Sequence, residues 1–89
     1  MGMFKEYQRK QTSIRAVQFT NENKDMVFNE LTGNYVADFE DGKPILKVTT
    51  IHGDIAIVRL GDWVAEEPKP GYYYPIDEEY FKNNFVNEE

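Results

Sequence analysis

Residues 60–85 constrain the fold more than any other stretch, because its prolines and glycines fix where strands must end. Gly61 and Asp62 form a tight turn: glycine tolerates positive φ, and an aspartate side chain bonds the backbone ahead of it. Trp63 and Val64 open a strand suited to a half-buried pleat. Glu66, Glu67, Pro68, Lys69, Pro70 and Gly71 cannot extend it, since each proline removes a ladder donor and restricts the residue before it. The chain loops there, and Tyr72, Tyr73, Tyr74, Pro75 and Ile76 resume extended structure. Asp77 is placed to cap a helix beginning at Glu78, where two carboxylates meet the positive helix end. Tyr80, Phe81 and Phe85 then give that helix one aromatic face.

Upstream, residues 1–11 hold Phe4 and Tyr7 among polar neighbours without periodicity, and read as an irregular N-terminal segment. Residues 12–20 are rich in β-branched side chains and read as the first strand; their imperfect alternation implies cover on both faces. Asn21 caps a short amphipathic helix in which Val27, Phe28 and Leu31 form a narrow apolar stripe, with Gly33 at its C-cap. Tyr35, Ala37 and Phe39 then alternate with Val36 and Asp38, ahead of a turn at Asp41 and Gly42. The strongest hairpin signal joins residues 45–51 and 55–60 across His52, Gly53 and Asp54. Closing it with a three-residue loop opposes Ile51 with Ile55, Val48 with Val58 and Leu46 with Leu60. The expected architecture is α+β and a single domain over residues 1–89. A mainly antiparallel, twisted sheet of five to six short strands in meander order carries one helix after the first strand, a short C-terminal helix and a frayed tail at 86–89.

An 89-residue chain that is 40% hydrophobic and 15% aromatic has enough apolar surface for one modest core and is not a disordered composition. No run approaches the roughly 20 apolar residues of a membrane helix, and the charged start, with Lys5, Glu6, Arg9 and Lys10, does not read as a signal peptide. Zero cysteines exclude disulfides and thiolate chemistry and agree with a reducing compartment. The net charge of −6 lies entirely in residues 61–89, where Lys69 and Lys82 face eight carboxylates; residues 1–60 carry eight of each sign. Such an excess solubilises a surface, or meets a basic partner, or imitates a nucleic-acid backbone. Direct nucleic-acid binding is disfavoured without a basic patch.

Residues able to do chemistry are few. His52 is the one histidine, and a turn imidazole beside Asp54 lacks the ligand set of a zinc site. Ser13, the one serine, has no neighbouring histidine and no strand-to-helix elbow. The pairs Glu66, Glu67 and Glu78, Glu79 diverge, because adjacent strand residues point to opposite faces and adjacent helix residues differ by about 100°. No calcium-loop or phosphate-loop pattern occurs, and Gly33, Gly42, Gly53, Gly61 and Gly71 each fall singly in a turn. No catalytic residue, cofactor or metal ligand is expected. Trp63 with Tyr72, Tyr73 and Tyr74 has the composition of interface anchors, and three consecutive strand tyrosines cannot all face a core.

The order of these pieces resembles a group of small bacteriophage and prophage proteins of unknown function. They share a strand like residues 14–20, an Asn- or Glu-rich helix, an Ile- and Thr-rich hairpin, a turn like Gly61, Asp62, Trp63, Val64, and an ending like Tyr74, Pro75, Ile76 leading to Phe81 and Phe85. Many of them place a proline where this chain has Leu60, and their bridge before the tyrosine is often shorter than residues 66–71. The resemblance implies a phage origin and the host cytoplasm, and supplies no catalytic residues. The resulting expectation is a non-enzymatic accessory protein that binds a host or phage protein through Trp63, Glu66, Glu67, Tyr72, Tyr73, Tyr74, Glu78 and Glu79. An acidic, nucleic-acid-mimicking inhibitor and, more remotely, a small hydrolase-like enzyme are the alternatives. Oligomeric state stays open: a homodimer through a sheet edge is physically easy unless charges such as Glu66 and Glu67 block it.

Overall fold

The computed structural model describes residues 3–9 and 12–87. It begins with two paired strands, β1 (Lys5–Arg9) and β2 (Thr12–Gln18), in a register that sets Tyr7 opposite Ile14. The segment expected to be irregular is therefore largely a strand, and the first helix follows the second strand instead of the first. β1 has a polar sequence with no alternation to reveal it; it is extended because the ladder groups of β2 on that side find their partners there.

The helix α1 (Lys24–Glu30) starts after Asn23, so the expected cap at Asn21 lies two residues too early. Asn23 Oδ1 accepts the Thr20 N–H at 2.9 Å, while the Asn23 N–H donates to Thr20 Oγ1 at 3.1 Å. Asn23 is thus spent on the incoming loop and makes no side-chain bond to the helix. Val27 and Leu31 are buried and Phe28 packs beside them, as the apolar stripe requires. Gly33 is not the C-cap, because Leu31 already leaves the helix in an extended conformation.

Three strands then run as a meander: β3 (Tyr35–Glu40), β4 (Lys43–Thr49) and β5 (Ile55–Arg59). Asp41 and Gly42 both have positive φ, the signature of a two-residue primed turn. In the next hairpin Leu46 faces Val58 and Val48 faces Ala56. The expected pairing is two residues out of register. Its three-residue loop centred on Gly53, whereas such loops set glycine last, in the left-handed position. Here Ile51, His52 and Gly53 form the loop, with the Gly53 N–H donating to the Thr50 carbonyl and the Thr50 N–H to that of Asp54. A two-residue slip keeps every side chain on its face, so the buried set survives.

After Gly61 and Asp62 the chain leaves this sheet. β6 (Trp63–Glu66) pairs with β2, β7 (Tyr73–Ile76) pairs with β6, α2 (Glu78–Asn84) follows, and β8 (Val86–Asn87) returns to β1. The molecule is α+β, with a five-stranded sheet ordered β7-β6-β2-β1-β8 and a three-stranded sheet β3-β4-β5, in place of the single meander expected. The tail expected to fray is paired as far as Asn87, opposite Tyr7; positions 88 and 89 lie outside the described residues. The corner is held by the backbone of Phe19, whose N–H donates to the Asp62 carbonyl at 2.8 Å and whose carbonyl accepts the Gly61 N–H at 2.7 Å.

The five-stranded sheet is covered on both sides. Val17, Val64 and Tyr73 face the main core, with Phe4, Phe19, Val27, Leu46, Val48 and Val58. Ala16, Ala65 and Ile76 face the other way, under Phe81 and Phe85. The double cover expected for residues 12–20 is thus present, on β2. Pro75 is tolerated because β7 is an edge strand of its sheet.

Candidate functional site

The residues expected to form one surface divide among several places. Tyr73 is 5% exposed and belongs to the main core, its ring tilted against Phe4 and its hydroxyl oxygen accepting the Thr32 N–H at 3.0 Å. It is removed from the expected surface because β7 alternates between two buried faces, and its odd positions face the main core. Trp63 is half-buried, stacked on Phe81 at 3.6 Å with the planes 5° apart. Its indole is therefore an internal contact of α2 before it is an anchor for anything else. Of the aromatic face expected on α2, Phe81 and Phe85 are buried, while Tyr80 is turned outward.

The carboxylates also separate. Asp77 caps α2, accepting the N–H groups of Glu79 and Tyr80, and Asp62 Oδ2 accepts the Arg59 N–H at 3.2 Å. Glu67 Oε2 accepts the Ile51 N–H at 3.1 Å, tying the hairpin loop to the loop after β6. Glu66 pairs with Arg15 across β2 and β6 at 3.3 Å. Glu78 lies beside Gly61 and Gln18 at the other end of β6, and Glu79 is exposed on α2. Asp62 and Glu67 stand at opposite ends of a strand, about 16 Å apart at the usual rise. Among the described residues the acidic third thus presents two patches, and much of their charge is spent on turns and caps.

One of those patches borders an open groove of about 700 Å³. Ile14, Ile51, Pro68 and Tyr74 give it an apolar lining, and Glu6, Arg15, His52, Glu66 and Glu67 give it a polar one. Its residues come from β1, β2, the β4–β5 loop, the end of β6 and β7, so no single stretch of sequence announces it. Glu6 and Ile14 lie on strands whose pairing sets one wall; the Glu67 to Ile51 bond fixes the hairpin loop as the other. With Arg15 already engaged by Glu66, the rim is acidic. His52 joins Glu66 and Glu67 here, a juxtaposition invisible in sequence, yet the space is wide open to solvent. Among the described residues no cluster of three His, Cys, Asp or Glu side chains is arranged to hold a metal ion.

No helix among the described residues is long and apolar enough to cross a membrane. No protein-family model matches the chain, and no curated protein or solved structure shows significant similarity to it.

Proposed function

We propose that the chain is a non-enzymatic accessory protein of phage or prophage origin that acts in the host cytoplasm by binding another protein. The observation that carries this reading is the groove: open, lined in part by Ile14, Ile51, Pro68 and Tyr74, and carrying Glu6, Glu66 and Glu67 beside Arg15, which pairs with Glu66. Such a cleft suits an extended, basic protein segment, whose apolar side chains meet Ile14, Ile51 and Tyr74 while its cations meet the rim. An enzyme would draw on enclosure as well as on converging polar groups, and this groove is open to solvent. A nucleic-acid mimic would draw on one continuous acidic row, and the separation of Asp62 from Glu67 does not support one.

The test is capture from host lysate by the wild-type chain and by a Glu6→Lys, Glu66→Lys double variant, at low and high salt. A protein retained by the wild type, weakened at high salt as screening demands, and lost by the folded double variant is the expected result. Equal capture by both chains would remove the groove as the docking surface.

A further inference from the structure

Among the described residues, β3 is the longer edge strand of the three-stranded sheet and pairs only with β4. β5 is the shorter edge strand, at five residues, and has β7 close by; β7 carries Pro75, and β8 has two residues. β3 has six residues and no proline, no strand among the described residues pairs with its outer edge, and four of its side chains are exposed. Val36 is 56% and Phe39 67% exposed, unusually high for large apolar residues in a regular strand.

The hydrogen-bonding sense of that edge follows from the turn. Glu40 and Lys43 flank a two-residue loop and so exchange both backbone bonds. The N–H and C=O groups of Tyr35, Ala37 and Phe39 therefore point away from β4. Two facts agree: Pro44, opposite Phe39, has no N–H, and the Phe39 N–H donates to Asp38 Oδ1 at 2.8 Å instead of to β4. Charge is the usual guard of an edge, but here it is already neutralised within the chain. Asp38 pairs with Lys47 at 3.1 Å, and Glu40 takes two bonds from Arg59, at 2.8 and 3.2 Å.

We propose that two copies of the chain join antiparallel through β3 about a twofold axis at Ala37, making one six-stranded sheet. Ala37 then faces the partner's Ala37, Tyr35 faces the partner's Phe39, and Val36 faces the partner's Asp38. This register is selected among its neighbours. It turns all three outward-pointing residues into narrow pairs, the Phe39 N–H exchanging its bond to Asp38 Oδ1 for one to the partner's Tyr35 carbonyl, and it sets aromatic against aromatic twice. A shift of two residues one way opposes Asp38 with the partner's Asp38; a shift the other way drops one narrow pair into the turn at Gly33. A second copy is the fitting occupant because β3 is complementary to itself in this register, with no like charges opposed. The contact area of one strand pair is below the roughly 1,200 Å² of a stable complex, so half-association is expected at about 0.1–1 mM chain.

The chain has no cysteine, which makes the register directly readable. Ala37→Cys is expected to cross-link to a disulfide dimer on mild oxidation at millimolar concentration, since paired Cα atoms about 5.5 Å apart are within disulfide reach. Val36→Cys is expected not to cross-link, because its opposite position is 38. The reverse pattern, or no cross-link in either, overturns the proposal. By sedimentation, wild type is expected to show a concentration-dependent dimer that Ala37→Pro weakens at least tenfold. That substitution removes only an outward N–H; should it unfold the chain, Phe39→Asp at an exposed position reads the same loss. A wild type that stays monomeric to 1 mM also overturns it. Ala37 and Phe39 are remote from the groove residues in the fold, so failure here leaves the groove's lysate test intact, and failure there leaves this one intact.

Discussion

At the scale of single residues, the most consequential side chain is one that is missing. Gly33 has φ +83°, and a Cβ built on it would sit 2.6 Å from both Cα and O of Gly71. The loop between α1 and β3 is thus pressed against the loop before β7, and the Asn34 N–H donates to the Gly71 carbonyl across the contact. Gly42 has a similar φ, +77°, but nothing within 4 Å. The pair separates two costs. Gly42→Ala is expected to lose about 1–2 kcal/mol from the left-handed backbone alone. Gly33→Ala adds an overpacking term of about 1–3 kcal/mol, because its neighbour is backbone and cannot swing aside. Urea unfolding of the two variants measures the difference, and equal losses would mean that the Gly71 contact is not rigid. In the sequence Gly33 reads as a helix C-cap. Its true constraint comes from a residue 38 positions away and leaves no local trace.

At the scale of elements, local chemistry declared some features and long-range pairing decided the others. Asp77 reads as a cap and is one, since the bonds it makes lie within three residues. The turn at Asp41 and Gly42 is equally local, as is the break between β6 and β7, although it runs over 67–72 because Glu66 still pairs with Tyr73. β1 and β8 were hidden because their strand character comes from neighbours, not from alternation, and the turn at Gly61 could not disclose that the next strand pairs with β2 instead of β5. The groove was hidden for the same reason, being assembled from β1, β2, β6, β7 and a hairpin loop. The outer face of the meander also makes a prediction with a definite sign. Glu40 is held below its ordinary 4.5, first by the side-chain bond from Arg59; Asp38 is held below 3.8, first by the Phe39 N–H and then by Lys47. Depressed carboxylates stabilise the folded state above their unfolded values, and that contribution is lost as pH falls through the folded ones. The meander should therefore loosen below about pH 4.5, modestly, as these pairs are exposed and screened by salt. Carboxyl carbon NMR titration should place the Glu40 midpoint below 4.5, and Arg59→Gln should return it upward. A midpoint indifferent to Arg59→Gln would show the pair to be absent in solution.

At the scale of the whole molecule, the two cores are not independent. β2 and β6 carry Val17 and Val64 into one and Ala16 and Ala65 into the other, so neither side can open without stripping cover from the same strands. Phe19 adds a second tie, its backbone clamped by the Gly61 and Asp62 turn that joins the two sheets. Removing Phe81 empties a space lined by Trp63, Tyr7 and Phe85, and removing Leu46 empties the centre of the main core, where it is fully buried. Each truncation to alanine is expected to cost about 2–5 kcal/mol, a large share of the roughly 5–15 kcal/mol that holds a domain together. Shared strands require that both losses appear in one transition. Trp63 fluorescence reports the α2 side and far-UV circular dichroism the whole backbone, so the two probes should give coincident unfolding curves in wild type, Phe81→Ala and Leu46→Ala alike. If Phe81→Ala instead released the Trp63 signal at lower denaturant while the backbone signal held, α2 and its aromatic cluster would be a separable cover. The strands beneath would then owe their order to the main core alone.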